Sequence, residues 1–316
     1  MSDEFTDDKF VTLEGFLPGR TVKLKLEAYN LGGSIKMKTA LSLIEDCVKT
    51  RGLKPGGRII ESSSGNLGVA LAILCAQRGF GFTCVLDVNS SSQNIRLIKA
   101  YGGRVVVCDK ADHSGGYLDS RINIIREMMA DDPSLLWTNQ YASEANPMAH
   151  YRWTCPALMH HSPGVDWLFV GTGTTGTAIG CARYLRDHAP HVRMVAVDAV
   201  GSVTFGHPAG PRFIPGLGSS RKPEIFDRSL IENAVRVTEK DAVRMCRKIA
   251  RRYGILVGGS TGTVLAGLQQ CSQLIDIGAE VVAISPDLGE RYLDTIYNDE
   301  WVNKHIPAGL EIEEAL

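Results

Sequence analysis

Short runs of consecutive apolar residues, closed by glycine and separated by longer amphipathic stretches, constrain this chain more than any other feature. Residues 58–61, 82–86, 104–108, 166–170, 193–199 and 280–285 read as strands, and 36–49, 67–76, 93–100, 118–129, 177–186, 241–252 and 263–274 as helices. A strand that is apolar at successive positions has no face to offer water, so it must be covered on both sides. Such strands alternating with helices predict an α/β fold of mainly parallel sheets flanked by helices. The 33 glycines fall mostly at the ends of these runs, where tight turns need them. The alternation forms two series that break near 137–148, which predicts two lobes with a cleft between them. Residues 201–221, rich in Gly, Pro and Ser, read as a long irregular segment, and such segments inside compact domains are commonly functional.

Charge narrows the partners. The 34 basic and 35 acidic side chains leave a formal net charge of −1, so nothing draws the chain generally to nucleic acid or to an anionic membrane. No apolar run reaches the length of a membrane span, and the acidic start, Met1-Ser2-Asp3-Glu4-Phe5, lacks a signal-peptide layout. A cytoplasmic location is expected. The eight cysteines contain no CxxC pair and read as reduced, buried hydrophobes rather than metal ligands, and His160-His161 lacks partners at ligand spacing. No metal is expected. The acidic tail, Glu311 to Glu314, reads as a solvated end.

Three loops carry chemistry. Gly171-Thr172-Gly173-Thr174-Thr175-Gly176-Thr177 follows one predicted strand and opens a helix. Free backbone N–H groups, the positive helix end and several hydroxyls there suit a phosphate. The same glycines fit GxGxxG, and Asp198 lies at the end of the next strand, so a dinucleotide site is an open alternative. Gly32-Gly33-Ser34-Ile35-Lys36 places Lys36 on the first turn of a helix, where the macrodipole disfavours a free cation but accepts a lysine held as an imine. Glu61-Ser62-Ser63-Ser64-Gly65-Asn66 joins a strand to a helix and offers hydroxyls and N–H groups to a carboxylate.

These loops, with Gly258-Gly259-Ser260-Thr261-Gly262 and Gly289-Glu290-Arg291-Tyr292-Leu293, occur in an order that resembles the cysteine synthase and cystathionine β-synthase family of pyridoxal 5'-phosphate enzymes. The likeness runs from about Lys23 to Trp301. It implies the tryptophan synthase β-like architecture (fold type II), with a smaller mobile lobe at 35–137 and a larger phosphate-binding lobe formed by 1–34 plus 138–316. It implies that Lys36 carries the cofactor covalently and moves protons, and that Asn66 bonds the ring hydroxyl. Gly173, Thr174, Thr175, Gly176 and Thr177 would hold the phosphate, and Ser63 and Ser64 the substrate carboxylate. For the ring nitrogen the likeness favours Ser260, because Asp287 stands where plain sulfhydrylases carry serine. A homodimer acting on small amino acids is implied too.

Within the family, several stretches are similar to the branch that makes N-(2-amino-2-carboxyethyl)-L-glutamate, a 2,3-diaminopropionate precursor of siderophore or antibiotic pathways. They include His113-Ser114-Gly115-Gly116-Tyr117 with Arg121, Asn139-Gln140-Tyr141, and Pro215 to Arg221. That branch joins O-phospho-L-serine to the amine of L-glutamate. Arg121, Tyr141 and Arg221 would then meet the extra anionic groups. Met37-Lys38 stands where the family usually carries Asp-Arg, and Gly173 is the residue of the sulfhydrylases. A sulfide-using synthase is the alternative, followed by a non-catalytic ligand-binding protein on the same fold.

Overall fold

The computed structural model describes residues 6–111 and 116–306. His113, Ser114 and Gly115 of the branch motif and the acidic tail lie outside them.

Two sheets organise the chain. In the first half, β3 (Arg58–Ser62), β4 (Gly81–Asp87), β5 (Arg104–Cys108) and β6 (Leu135–Trp137) form a parallel sheet in the order β5-β4-β3-β6. Helices α1 (Lys36–Thr50), α2 (Asn66–Arg78), α3 (Ser92–Ala100) and α4 (Leu118–Asp131) belong to this half. The second sheet has six strands. It takes β1 (Phe10–Thr12) and β2 (Thr21–Leu26) from the N-terminus and adds β7 (Trp167–Gly171), β8 (Arg193–Ala199), β9 (Asn233–Val237) and β10 (Glu280–Ser285), in the order β1-β2-β10-β7-β8-β9. Only the β1–β2 pair is antiparallel. Helices α5 (Ala145–Ala149) and α6 (Cys155–His161) are joined by a single π-helical turn at His150–Thr154. Then come α7 (Gly176–His188), α8 (Glu239–Tyr253), α9 (Gly259–Gln270) and α10 (Asp299–His305). The expected α/β architecture is the one observed.

The apolar runs do the work assigned to them. Ile59, Leu71, Leu74, Cys84 and Leu86 form one core between the first sheet and α1 and α2. Phe169, Val197, Val264, Leu265, Val281 and Ala283 anchor another beneath α8 and α9, and Leu168, Val170, Ile179 and Ile284 a third on the opposite face. Each face buried this way stabilises by about 25 cal/mol for every Å² of apolar surface removed from water. All eight cysteines are free, and all but Cys271 are buried.

The sequence reading left out the short elements β1, β6, α5, α6 and α10, and local chemistry departs from it in three further places. Helix α9 starts at Gly259, four residues before the expected position, and ends at Gln270. The missing side chain of Gly262 lets α8 approach, since a Cβ there would run into Cys246 and the Ala242 carbonyl. Strand β2, Thr-Val-Lys-Leu-Lys-Leu, hides behind its alternating lysines, yet Lys25 is 0% exposed. Its ammonium bonds Asp7 at 3.0 Å and Glu27 at 2.6 Å, and the equally buried Lys38 pairs with the same two carboxylates. Two charges of each sign can share an interior because each desolvated ion keeps a partner. Strand β9, half exposed at the sheet edge, gives no apolar run to read.

Candidate active site

The glycine loop leaves β7 and turns into α7. Thr175, at φ +67°, makes that turn, and its Oγ1 is buried with no hydrogen-bond partner. Thr174 Oγ1 accepts from Asn146 Nδ2 at 3.0 Å, and Thr177 Oγ1 lies 3.2 Å from His150 Nε2. The glycines serve protein packing as well as ligand approach. A Cβ on Gly173 would stand 2.6 Å from the Gly216 carbonyl, and one on Gly176 would collide with Asn146. The result is the N-terminus of a 13-residue helix lined by free amides and one orphan hydroxyl. Buried hydroxyls are rarely left unpaired, so this cup has the chemistry of an anion seat.

Lys36 opens α1, as the spacing predicts. The residues before it are pinned to the far end of the chain: Ile35 N–H donates to Pro286 O at 2.8 Å, and Ser34 bridges to Asp287. Burial pulls the Lys36 ammonium down to about 8, with the Asp287 carboxylate pulling the other way. A lysine in that state has a far larger share of neutral amine near neutrality than a free lysine, and the neutral amine is what a nucleophile or base needs. Asp287 Oδ2 accepts from Asn66 Nδ2 at 2.7 Å and from the Tyr292 hydroxyl at 2.5 Å, and its Oδ1 is buried without a partner. Arg291 donates to Asn66 Oδ1 at 2.5 Å and to Gly32 O at 2.9 Å. A guanidinium only donates, so the Asn66 atom facing it must be oxygen, and the amide nitrogen keeps a second hydrogen beyond its bond to Asp287.

Ser63 and Ser64 lie where β3 hands over to α2. Ser63 Oγ accepts from Gly68 N–H at 3.0 Å and donates to Gly65 O at a long 3.4 Å, a bond its hydrogen can exchange for a stronger acceptor. On the same strand, Glu61 holds the segment 138–141 that follows the neighbouring β6: its carboxylate accepts from Thr138 Oγ1 at 2.5 Å and Gln140 N at 3.1 Å. Burial pushes the Tyr141 hydroxyl up, and the charges of Arg121 and Arg212 oppose the rise. Arg121 is 9% exposed and pairs with Asp87 at 3.3 Å, but its Nε and Nη1 make no hydrogen bond. Arg221 differs, its side chain being 41% exposed and paired with Glu224 at 3.1 Å and Asp119 at 3.8 Å. Ser260, on the first turn of α9, faces Gly216 beside the phosphate cup.

Asp198 corrects the dinucleotide alternative. It is 1% exposed, its Oδ1 accepts the N–H of Ala199 and its Oδ2 is buried without a hydrogen-bond partner, so the carboxylate lies inside the protein rather than at a surface a ribose could occupy. Among the described residues no group of three or more His, Cys, Asp or Glu could hold a metal ion, and no helix is long and apolar enough to cross a membrane. The anion cup, the softened lysine and the unpartnered Asp287 Oδ1 instead fit an aromatic aldehyde bearing a phosphate.

Residues 9–287 match the family described as pyridoxal-phosphate dependent enzyme. The chain belongs to this family. It is 40% identical over 295 residues to N-(2-amino-2-carboxyethyl)-L-glutamate synthase of Ralstonia nicotianae, covering 92% of this chain and 87% of that one. Among solved structures, O-ureido-L-serine synthase matches with 32% identity and a TM-score of 0.87 over 98% of this chain and 96% of its own. Cysteine synthase from Entamoeba histolytica matches with 28% identity and a TM-score of 0.86 over 93% and 89%. The protein is a pyridoxal-phosphate-dependent β-replacement enzyme of fold type II. When bound, pyridoxal phosphate supplies an aldehyde that anchors an amine and a conjugated ring that takes up electron density from the substrate α-carbon.

Sequence reading missed several residues of this site. Arg291 and Tyr292 stood in a quoted motif without a role, as did Glu61 at the start of the serine-rich loop, and Asn146 and His150 carried no local signal at all. Several act on partners far away in the chain, as Arg291 does on Asn66 across 225 positions. Asp287 was visible only as a departure from the sulfhydrylase pattern.

Proposed function

We propose that the enzyme joins O-phospho-L-serine to the amine of L-glutamate, giving a 2,3-diaminopropionate precursor. The Lys36 amine takes the α-proton of the bound phosphoserine, phosphate leaves the β-carbon, and the glutamate amine bonds there. Lys36 then returns the proton to the α-carbon. Ser63 and Ser64 grip the α-carboxylate. Asn66, held by Arg291 and Asp287, presents its spare amide hydrogen to the ring oxygen. Gly173, Thr174, Thr175, Gly176 and Thr177 take the cofactor phosphate, and Ser260 serves the ring nitrogen as a neutral partner, which favours elimination over transamination. Tyr141 and Arg121 receive the departing phosphate or a glutamate carboxylate, with Arg221 at the rim. The lobe at 35–137 closes over the remainder, 1–34 plus 138–316, and the enzyme works as a homodimer in the cytoplasm.

One observation carries the choice of substrates: the buried Arg121, close to Tyr141, whose Nε makes no hydrogen bond and whose Nη1 has a 3.3 Å ion pair with Asp87 but no hydrogen bond. A buried guanidinium with idle donors is costly unless acceptor oxygens complete it, and sulfide brings neither carboxylate nor phosphate. The 40% identity to the Ralstonia synthase supports the same reading. The test is to supply the holoenzyme with O-phosphoserine and either glutamate or sulfide, and to identify products by mass spectrometry. Condensation with glutamate is expected. Product formed with sulfide alone would reject the proposed nucleophile.

A further inference from the structure

His150 has no part in the chemistry above, yet it is fully buried and touches hydroxyls from three elements. Its Nε2 lies 3.1 Å from Thr39 Oγ1 on α1 and 3.2 Å from Thr177 Oγ1 on α7, and its Nδ1 lies 3.0 Å from Thr154 Oγ1 in the π-helical turn. Thr39 stands on the first turns of the helix that Lys36 opens, and Thr177 belongs to the phosphate cup. The ring is held closely: a Cβ on Gly180 of α7 would lie 2.8 Å from the His150 Cβ. Single π-helical turns recur at functional sites, and here the turn starts at the histidine itself.

Counting hydrogens shows what the ring can do. A neutral imidazole has one N–H and one acceptor nitrogen. Burial, helped by the charges of Lys36 and Lys38 and opposed by Glu27, lowers this imidazole to about 3, so it is neutral wherever the enzyme works. If Nδ1 carries the hydrogen, Nε2 offers one lone pair to the Thr39 and Thr177 hydroxyls, and where Thr177 donates to it that hydroxyl turns its hydrogen towards the ring and its lone pairs towards the cup. Those lone pairs would face a phosphate dianion. If Nε2 carries the hydrogen, Thr177 Oγ1 accepts it and its own hydrogen is free to point into the cup, while Thr154 donates to Nδ1.

We propose that His150 is a positioning residue for the phosphate cup: its Nε2–H, shared by Thr177 and Thr39, turns the Thr177 hydroxyl towards the cofactor phosphate and ties the cup to the helix of Lys36. Shared N–H donors of this kind are common at helix ends. The inference rests on the phosphate reading of the loop from Gly173 to Thr177.

The test compares apo-protein binding of pyridoxal phosphate with binding of pyridoxal, which lacks the phosphate, followed by absorbance. His150→Leu is expected to weaken pyridoxal phosphate by about tenfold or more, the scale of one charge-assisted hydrogen bond, and to leave pyridoxal nearly unchanged. His150→Gln, whose side-chain amide reaches about as far as Nε2, should restore most of the loss. Thr177→Val should reproduce the loss, and adding His150→Leu to it should cost nothing more. Should His150→Leu fail to fold, nitrogen-15 NMR of the loaded wild type decides alone, with Nε2 protonated as the expected result. An Nδ1-protonated ring, or equal weakening of both ligands, would overturn the proposal. A wild type that binds both equally would remove the phosphate seat itself, and the proposal with it.

Discussion

Two side chains of the site are tuned by what surrounds them, and each tuning is measurable. Lys36 is lowered to about 8 by burial, so its neutral fraction grows as pH climbs through that value and then saturates. The rate at which apo-protein takes up pyridoxal phosphate should rise with pH and level off above about 8. A rate still climbing steeply at pH 10 would mean that the lysine titrates like a free one. Lys36→Ala should abolish both cofactor absorbance and turnover. The arginines divide by burial. Arg121→Ala should raise KM for O-phosphoserine by about ten- to a hundredfold, from the loss of buried charged hydrogen bonds, and Arg221→Ala by about threefold or less, as for an exposed pair. Steady-state kinetics on both variants checks the division. Lys36 and the phosphate loop were legible in the sequence because helix starts and glycine turns are written in neighbouring residues. His150 and Arg291 were not, because their partners come from elsewhere in the chain.

Helix α1 shows how an element is fixed before it functions. Its first turn carries Lys36 towards the cleft and Lys38 into the protein, where Lys38 and Lys25 of β2 share the carboxylates of Asp7 and Glu27. Where the family usually has Asp-Arg, this chain has Met37-Lys38, with Met37 in the core and Lys38 in the charge box. Burial alone would raise the Glu27 carboxyl, but the charges of Lys38 and Lys25 outweigh it and hold it at about 2. A carboxyl depressed from its usual 4.5 stabilises the fold fully above pH 4.5, and that contribution fades as pH falls through about 2. Glu27→Gln leaves two buried ammonium groups with one carboxylate and should cost about 3–5 kcal/mol at pH 7. Urea melts of both proteins should show the gap shrinking below pH 4.5. A gap independent of pH would mean that Glu27 acts through packing. Sequence periodicity hid β2 for the same reason: a lysine reads as solvent-facing unless its counter-charges are known, and here they come from positions 7 and 27.

At the scale of the molecule, the carboxyl ends of both parallel sheets deliver the chemistry to one cleft, β3 through Ser63 and Ser64 and β7 through the glycine loop. Ligand sites form there because strand ends and helix starts leave backbone groups unpaired. The two halves build most of their apolar cores separately, around α1, α2 and α4 in the first and around the six-stranded sheet in the second, although Ala145 and Trp153 of the second pack against the core of the first. Within the site they meet through polar contacts, Asn66 with Asp287 and Arg291. Outside the site the joints are the charge box of Lys38 with Asp7 and Glu27 and the packing of Ala145 and Trp153, few beside the contacts within each half, and a cofactor held by Lys36 and Asn66 on one side and the phosphate cup on the other would add a further joint. Apo-protein should therefore melt with a calorimetric enthalpy larger than its van't Hoff enthalpy, the mark of units unfolding in turn. At a cofactor concentration a hundred times Kd, native-state binding adds about 2.7 kcal/mol of stability, and the melt should move upward and sharpen into one transition. Scanning calorimetry with and without pyridoxal phosphate reads both effects. An apo-protein that already unfolds in one two-state step would show that the halves are joined by the chain's own contacts, and that the cofactor adds stability without adding cooperativity.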